Sequence, residues 1–286
     1  MSNVGIATSS MLVDLNISCW TAKKLDKSVS QEVDETKEAK YRAGNYNKNL
    51  LAGTAYLDQI VKFAAGVRLW HNKRTLPWAD AGTRLLPMSS FLAYKSTLND
   101  LEAEFNALVD RFLDKYPELV DAAAFNLGKL FNRDEYPTVD EIRGKFKFAY
   151  MFSPVPTSGD FRVDIGETAM AELRGQFELN ANAKVERAMK EAWSRLHEVL
   201  CHMSDKLADT SEGKNKEFRD SLVGNALELV DMLKALNITG DQELETARRD
   251  LSVAIMGVEA KELRKNPDIR KDVKSQVDNI LSKFSF

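Results

Sequence analysis

Apolar side chains recur at three- and four-residue steps along most of this chain, and that spacing predicts helices. Phe91, Tyr94, Leu98, Leu101, Phe105, Leu108, Phe112 and Leu113 trace one apolar face from Ser89 to Tyr116. An earlier helical pattern runs from about Ser28 to Gly66, very polar in its first half, with Ser30 near its start. Pro117 ends the 89–116 helix or starts the next, over 119–131. A short helix follows at 139–146, with Thr138 and Glu141 at capping-box spacing. Residues 168–210 carry Met170, Leu173, Phe177, Val185, Met189, Trp193, Leu196, Leu200 and Met203, the later ones in coiled-coil-like steps. Helices over 218–236, 242–265 and 268–284 complete the chain.

The period changes at Phe146. Phe146, Phe148, Tyr150 and Phe152 occupy alternate positions, the repeat of a half-buried strand. Pro154, Pro156 and Gly159 then form a turn, and Phe161, Val163 and Ile165 alternate again. This reads as a β-hairpin, and residues 12–18 are the candidate third strand, since a lone hairpin is marginal in water. The expected fold is mostly α with a small β-sheet, built of elongated antiparallel helices plus the hairpin. Its expected division is a helical part with the hairpin over 1–166 and a helical bundle or coiled-coil arm over 167–286.

Composition narrows the functional classes. The 286 residues carry 43 acidic and 40 basic side chains, a formal net charge of −3, which argues against a polyanion-binding surface over the whole molecule but leaves room for a local basic patch. Two cysteines far apart, Cys19 and Cys201, predict reduced thiols rather than a disulfide framework. No apolar run approaches the roughly 20 residues of a membrane span, and MSNVGIATSS lacks the features of a secretory signal. The expectation is an intracellular protein with no membrane contact.

The most distinctive stretch is VRLWHNKRTLPWADAGTRLLP, residues 67–87, which reads as a Pro- and Gly-punctuated loop between long helices. It brings Trp70, His71, Lys73, Arg74, Trp78 and Arg84 together. Tryptophan and arginine are enriched at protein–protein hot spots. Aromatic faces with cations also suit a single-stranded nucleic acid. A third reading packs the tryptophans under the loop and pairs the arginines with acids. A second candidate surface is the hairpin tip, Phe152 to Val163, as a docking finger. Helix-to-helix assembly through the helices after Thr168 is a third.

Catalytic motifs are missing. There is no GxxxxGK[ST], no strand followed by GxGxxG, no HExxH and no GxSxG. His197 and Cys201 lie four apart with His202 beside them, short of a tetrahedral ligand set. No metal, cofactor or catalytic residue is expected, and the chain reads as non-enzymatic.

The string WHNKRTLPWADAGTRLLP, the aromatic helix after it and FKFAYMFSPVP…DFRV resemble a family of uncharacterised, mostly helical proteins of bacteriophages and mobile elements. Such proteins are sometimes encoded near AAA-type ATPases and von Willebrand-type domains. The resemblance covers about the first two-thirds of the chain. It implies a phage accessory protein in the host cytoplasm, acting through protein–protein interaction or self-assembly, with an AAA-type ATPase as a partner. The alternative is single-stranded nucleic-acid binding through the Trp70–Arg84 stretch.

Overall fold

The computed structural model describes residues 3–80, 82–160, 166–208 and 219–284. It is 69% helical and 12% strand, mostly α with a small antiparallel sheet, as the periodicity predicts. In chain order the elements are α1 (Asn3–Ser9), β1 (Ser10–Ser18), β2 (Lys23–Asp26), α2 (Lys27–Thr36), β3 (Tyr46–Asn49), α3 (Tyr56–Arg74), β4 (Leu76–Pro77), β5 (Arg84–Pro87) and α4 (Phe91–Leu127). Then come α5 (Val139–Arg143), β6 (Lys147–Pro154), α6 (Glu167–Leu207), α7 (Ser221–Leu236), α8 (Gln242–Ile255), α9 (Ala260–Lys265) and α10 (Pro267–Lys283). One four-stranded sheet has the order β4-β5-β1-β6, and β2 and β3 form a separate ribbon.

The chain divides into two compact units, each discontinuous in sequence. Unit 1 is 1–14, 71–94 and 151–286; unit 2 is 15–70 and 95–150. A single cut near residue 166 therefore does not separate them. Unit 1 is a helical bundle whose core joins Leu196, Leu200 and Met203 of α6 to Leu229 and Leu233 of α7, Leu251 of α8, and Val277 and Ile280 of α10. Leu76, Trp78 and Leu85 belong to the same core, and β5 lies beside β1 with Leu12 opposite Leu85. In unit 2, Phe105, Phe112, Tyr116 and Val120 of α4 pack with Ile60, Ala64 and Val67 of α3 and with Leu50, Leu51 and Ile142.

Local chemistry sets several boundaries. Thr138 accepts from the Glu141 amide while the Glu141 carboxylate accepts from the Thr138 amide, the expected capping box. Asn266 caps α10 by accepting from the amides of Asp268 and Ile269. Helix α2 closes on a Schellman pair. The Ala39 amide donates to Asp34 O and the Glu38 amide to Glu35 O, with Glu38 left-handed at φ 54°.

Other expectations need correction. Residues 28–66 do not form one helical stretch: α2 ends at Thr36, and the polar segment 46–49 is strand β3, paired to β2 with Asp26 opposite Tyr46. The start is capped by Asp26 rather than Ser30. Pro117 neither ends nor starts a helix; α4 runs through it for 37 residues. The pattern over 242–265 splits into α8 and α9, with Gly257 at φ 70° between them. Residues 3–9 are helical, which their small side chains do not announce. The second hairpin strand, 161–165, lies outside the described residues.

Glu38 holds a conformation that costs an L-residue about 1–2 kcal/mol and glycine almost nothing. Glu38→Gly raises stability by about 0.5–1 kcal/mol after the larger backbone entropy of glycine in the unfolded chain is counted. A urea titration checks this: the midpoint moves up and the slope stays constant.

Candidate functional site

The stretch 67–87 is not a loop for its first eight residues. Helix α3 continues to Arg74 and carries Trp70, His71, Lys73 and Arg74 in its last turns. The chain then reverses through a hairpin, β4 to β5, with Leu76 opposite Leu85 and Pro77 opposite Arg84. The correction has a physical reason. Cationic residues in the last turn of a helix complement its macrodipole, and the hydrogen-bonded helix extends to where they end.

A helix end leaves backbone carbonyls without intrahelical donors. Here two guanidinium groups satisfy them. Arg84 donates from Nη2 to Thr75 O at 3.0 Å and to Asn72 O at 3.3 Å, and from Nε to Thr75 Oγ1 at 2.7 Å. Arg195, from the middle of α6, donates to Lys73 O at 2.9 Å and to Asn72 O and Thr75 O at 3.0 Å. Its Nε donates to Glu191 at 3.0 Å. The Thr75 hydroxyl donates to His71 O at 2.7 Å. Burial and the nearby Arg195 lower the Arg84 pKa, with Glu191 opposing. Lys73 and Arg74 both approach Glu228 of α7, at 3.1 and 3.6 Å.

Each predicted site residue of unit 1 is therefore engaged in the fold. His71 is 5% exposed, with Nδ1 2.6 Å from the Tyr94 hydroxyl. Burial, followed by the Arg84 charge, lowers its pKa to about 4, against a smaller opposing effect of Asp14. Burial raises the Tyr94 pKa. Asp14 accepts from Thr83 at 2.6 Å. Trp78 is 5% exposed within the unit 1 core. Arg187 of α6 donates to Trp78 O at 3.4 Å and to Asp80 at 2.6 Å. Trp70 belongs to unit 2 and is half-buried. Within unit 1, His71 and Trp78 are thus buried, and Lys73, Arg74 and Arg84 are held by ion pairs or hydrogen bonds. Arg195, Glu228 and Arg187 complete the arrangement from more than 100 positions away, and no spacing rule in the sequence points to them.

Trp78 does keep one open edge. It lines a cleft of about 250 Å³ with Pro156, Phe177, Asn180, Ala181 and Lys184. The Lys184 ammonium stands 5.5 Å from the centre of the indole, within cation–π range. A second cleft, about 330 Å³, lies between α8 and α10 beneath the Lys283–Asp250 ion pair.

On α6, Cys201 Sγ is 3.3 Å from His197 Nε2, and Cys201 and His202 are exposed. Among the described residues no group of three or more His, Cys, Asp or Glu side chains is placed to hold a metal ion. No described helix is long and apolar enough to cross a membrane. No protein-family model, curated protein or solved structure matches the chain.

Two outcomes follow from this geometry. The unfolded chain takes up a proton at His71 near pH 6.5, whereas the folded one resists it down to about pH 4. Stability is therefore full above pH 6.5 and falls as the pH drops toward 4, by on the order of 3 kcal/mol in total. Denaturation across that window shows the slope, and His71→Gln flattens it. Arg195→Ala leaves the Lys73 carbonyl without its side-chain donor and Asn72 O and Thr75 O with Arg84 alone, and costs about 2 kcal/mol. Arg195→Lys recovers little of this, because an ammonium lacks the planar fork that reaches three carbonyls.

Proposed function

We propose that this chain is a non-enzymatic interaction protein that works by binding another protein chain, in self-assembly or in a complex. The observation that carries this reading is the uneven use of α6. From Ala181 to Leu207 its apolar stripe is buried in the unit 1 core. From Glu167 to Asn180 no residue is buried, although Met170, Leu173 and Phe177 continue the three- and four-residue steps and remain only half-covered. Fourteen residues at 1.5 Å per residue make a seam of about 21 Å. A stripe that keeps helical spacing past the core it serves is what a partner helix covers.

The seam leads into the Trp78 cleft, since Phe177, Ala181 and Lys184 share that face of α6. A cleft of this size suits one apolar side chain of a partner helix, seated against indole with Lys184 at the rim. Trp78 thus contributes to partner binding as the wall of a cleft. The short 3-10 turn Ser158–Asp160, held by Asp160 accepting from the Thr157 amide at 2.6 Å, also lies against α6. The resemblance to phage and mobile-element proteins supports the host cytoplasm as the setting and an AAA-type ATPase as the partner class. The competing use of the 70–84 stretch as a nucleic-acid platform has less support, because Trp78 and His71 are buried and Trp70 is half-buried.

Size-exclusion chromatography with light scattering, run as a concentration series, and a pull-down from expressing cells test the proposal. Self-association or a stable protein partner is expected, lost in Leu173→Glu with helical content and melting temperature retained. Leu179→Glu is the matched control, because Leu179 is 73% exposed and off the seam. A strict monomer that recovers no partner removes the reading.

A further inference from the structure

The cleft lined by Trp78 carries polar groups that the fold does not use. Trp78 is 5% exposed, and a tryptophan buried to that degree usually gives its N–H a hydrogen-bond partner. Among the described residues the Trp78 indole N–H donates to nothing; the bond from Arg187 goes to its backbone carbonyl. Asn180, exposed on the same cleft, makes no side-chain hydrogen bond either.

Lys184 is the third such group. It is half-buried and forms no ion pair among the described residues; its ammonium stands only against the indole face, 5.5 Å from the ring centre. Helix α6 cannot neutralise it. The positions three and four away, where helical neighbours meet, are Asn180, Ala181, Arg187 and Ala188, with no carboxylate among them. Two nearby acids are engaged elsewhere. Asp80 is held by Arg187 at 2.6 Å, and Asp160 accepts from the Thr157 amide at 2.6 Å and its hydroxyl at 3.2 Å.

These groups specify an occupant. An ammonium and an indole N–H are donors only, and an amide adds two more donors, so the matching group is a carboxylate, which only accepts. The apolar lining is Phe177, Pro156 and Ala181 with the indole itself. Two rings favour an aromatic guest, because aromatic pairs gain beyond the area they bury. A volume of about 250 Å³ is smaller than the roughly 300–1,000 Å³ of sites for free drug-sized ligands, and it holds one side chain.

We propose that the Trp78 cleft takes an aromatic side chain of a partner protein that has an acidic residue beside it, the ring against Trp78 and Phe177 and the carboxylate on Lys184. This rests on the reading of α6 as a partner-binding helix and names what the partner must present. A basic residue beside the ring meets Lys184 as a like charge and is rejected.

Proton–nitrogen correlation NMR of the full chain tests it, with capped tetrapeptides Ala-Asp-Phe-Ala, Ala-Asn-Phe-Ala, Ala-Lys-Phe-Ala and Ala-Asp-Leu-Ala at millimolar concentration. The signal followed is the Trp78 indole N–H, assigned among the four tryptophans through Trp78→Phe. The Asp-Phe peptide moves that signal, and the Asn-Phe peptide binds about fourfold more weakly, the size of one partly exposed ion pair. The Asp-Leu and Lys-Phe peptides also bind more weakly. Lys184→Gln removes the preference for Asp over Asn, and Lys184→Glu inverts it in favour of Lys-Phe, with circular dichroism unchanged. Equal affinity for the Asp, Asn and Lys peptides overturns the proposal, as does an Asp preference that survives Lys184→Gln or a Trp78 signal that no peptide moves. Tighter binding of free 3-phenylpropionate than of the Asp-Phe peptide overturns the protein source of the ligand. The two readings fail separately: a strict monomer with no partner removes the assembly reading while the titration still reads the cleft, and a lost Asp preference with self-association retained removes only this proposal.

Discussion

Unit 1 depends on how the C-terminal end of α3 is closed. A 19-residue helix ends there, and its last carbonyls have no intrahelical donors. Two arginines reach them, Arg84 from the strand that follows and Arg195 from α6, some 120 residues on. Because both donate to Asn72 O and Thr75 O, the helix end, the β4–β5 hairpin and α6 are fixed to the same atoms. Neither arginine is replaceable by a point charge. Once the carbonyls are capped, Leu76 and Leu85 enter the bundle core on the inner face of the hairpin, and Trp78 follows them.

The same cap explains what the sequence showed and what it hid. Tryptophans and cations within 18 positions have the composition of a binding loop, and they also have that of a helix C-terminus that needs cations. His71, Lys73 and Arg74 in the last turn are a C-terminal helix signal in their own right, present in the sequence although the stretch reads there as a loop. The closing partners Arg195 and Glu228 were not, because their pairing depends on bundle topology rather than spacing. Thr138 with Glu141 and the alternation from Phe146 were legible for the opposite reason, since each is satisfied within a few residues. Helix α4 passes Pro117 because the packing of Phe112, Tyr116 and Val120 on one apolar face outweighs the lost hydrogen bond.

Unit 2 hides a different kind of information. Strand β3, Tyr46-Asn47-Lys48-Asn49, has no hydrophobic alternation, and its inward residue is a lysine. Lys48 is 4% exposed and uses its ammonium on Asp26, Glu135 and the Leu130 carbonyl. Hydrogen bonds from Ser28, the Val29 amide and Lys48 lower the Asp26 pKa to about 2, so the network stays charged through the physiological range. A buried cation with two carboxylates and a carbonyl is satisfied, and losing any one partner strands the others. A polar ribbon of this kind leaves no periodic trace, because its inward position is defined by ionic partners from β2 and from the turn at Glu135.

The α6 seam responds to salt as its composition dictates. Covering Met170, Leu173 and Phe177 removes apolar area from water, and that driving force does not weaken as ions are added. Charge bookkeeping over the whole chain does not say which cations are available to a ligand, since a net charge of −3 counts paired and exposed groups alike. The distinction lies in which charges already have partners. Lys73, Arg74, Arg84 and Arg195 contribute to the formal basic count but are committed to Glu228, Glu191 and the backbone. In a chain of nearly balanced composition, availability for binding is set by which side chains the fold has already engaged, and composition does not reveal that.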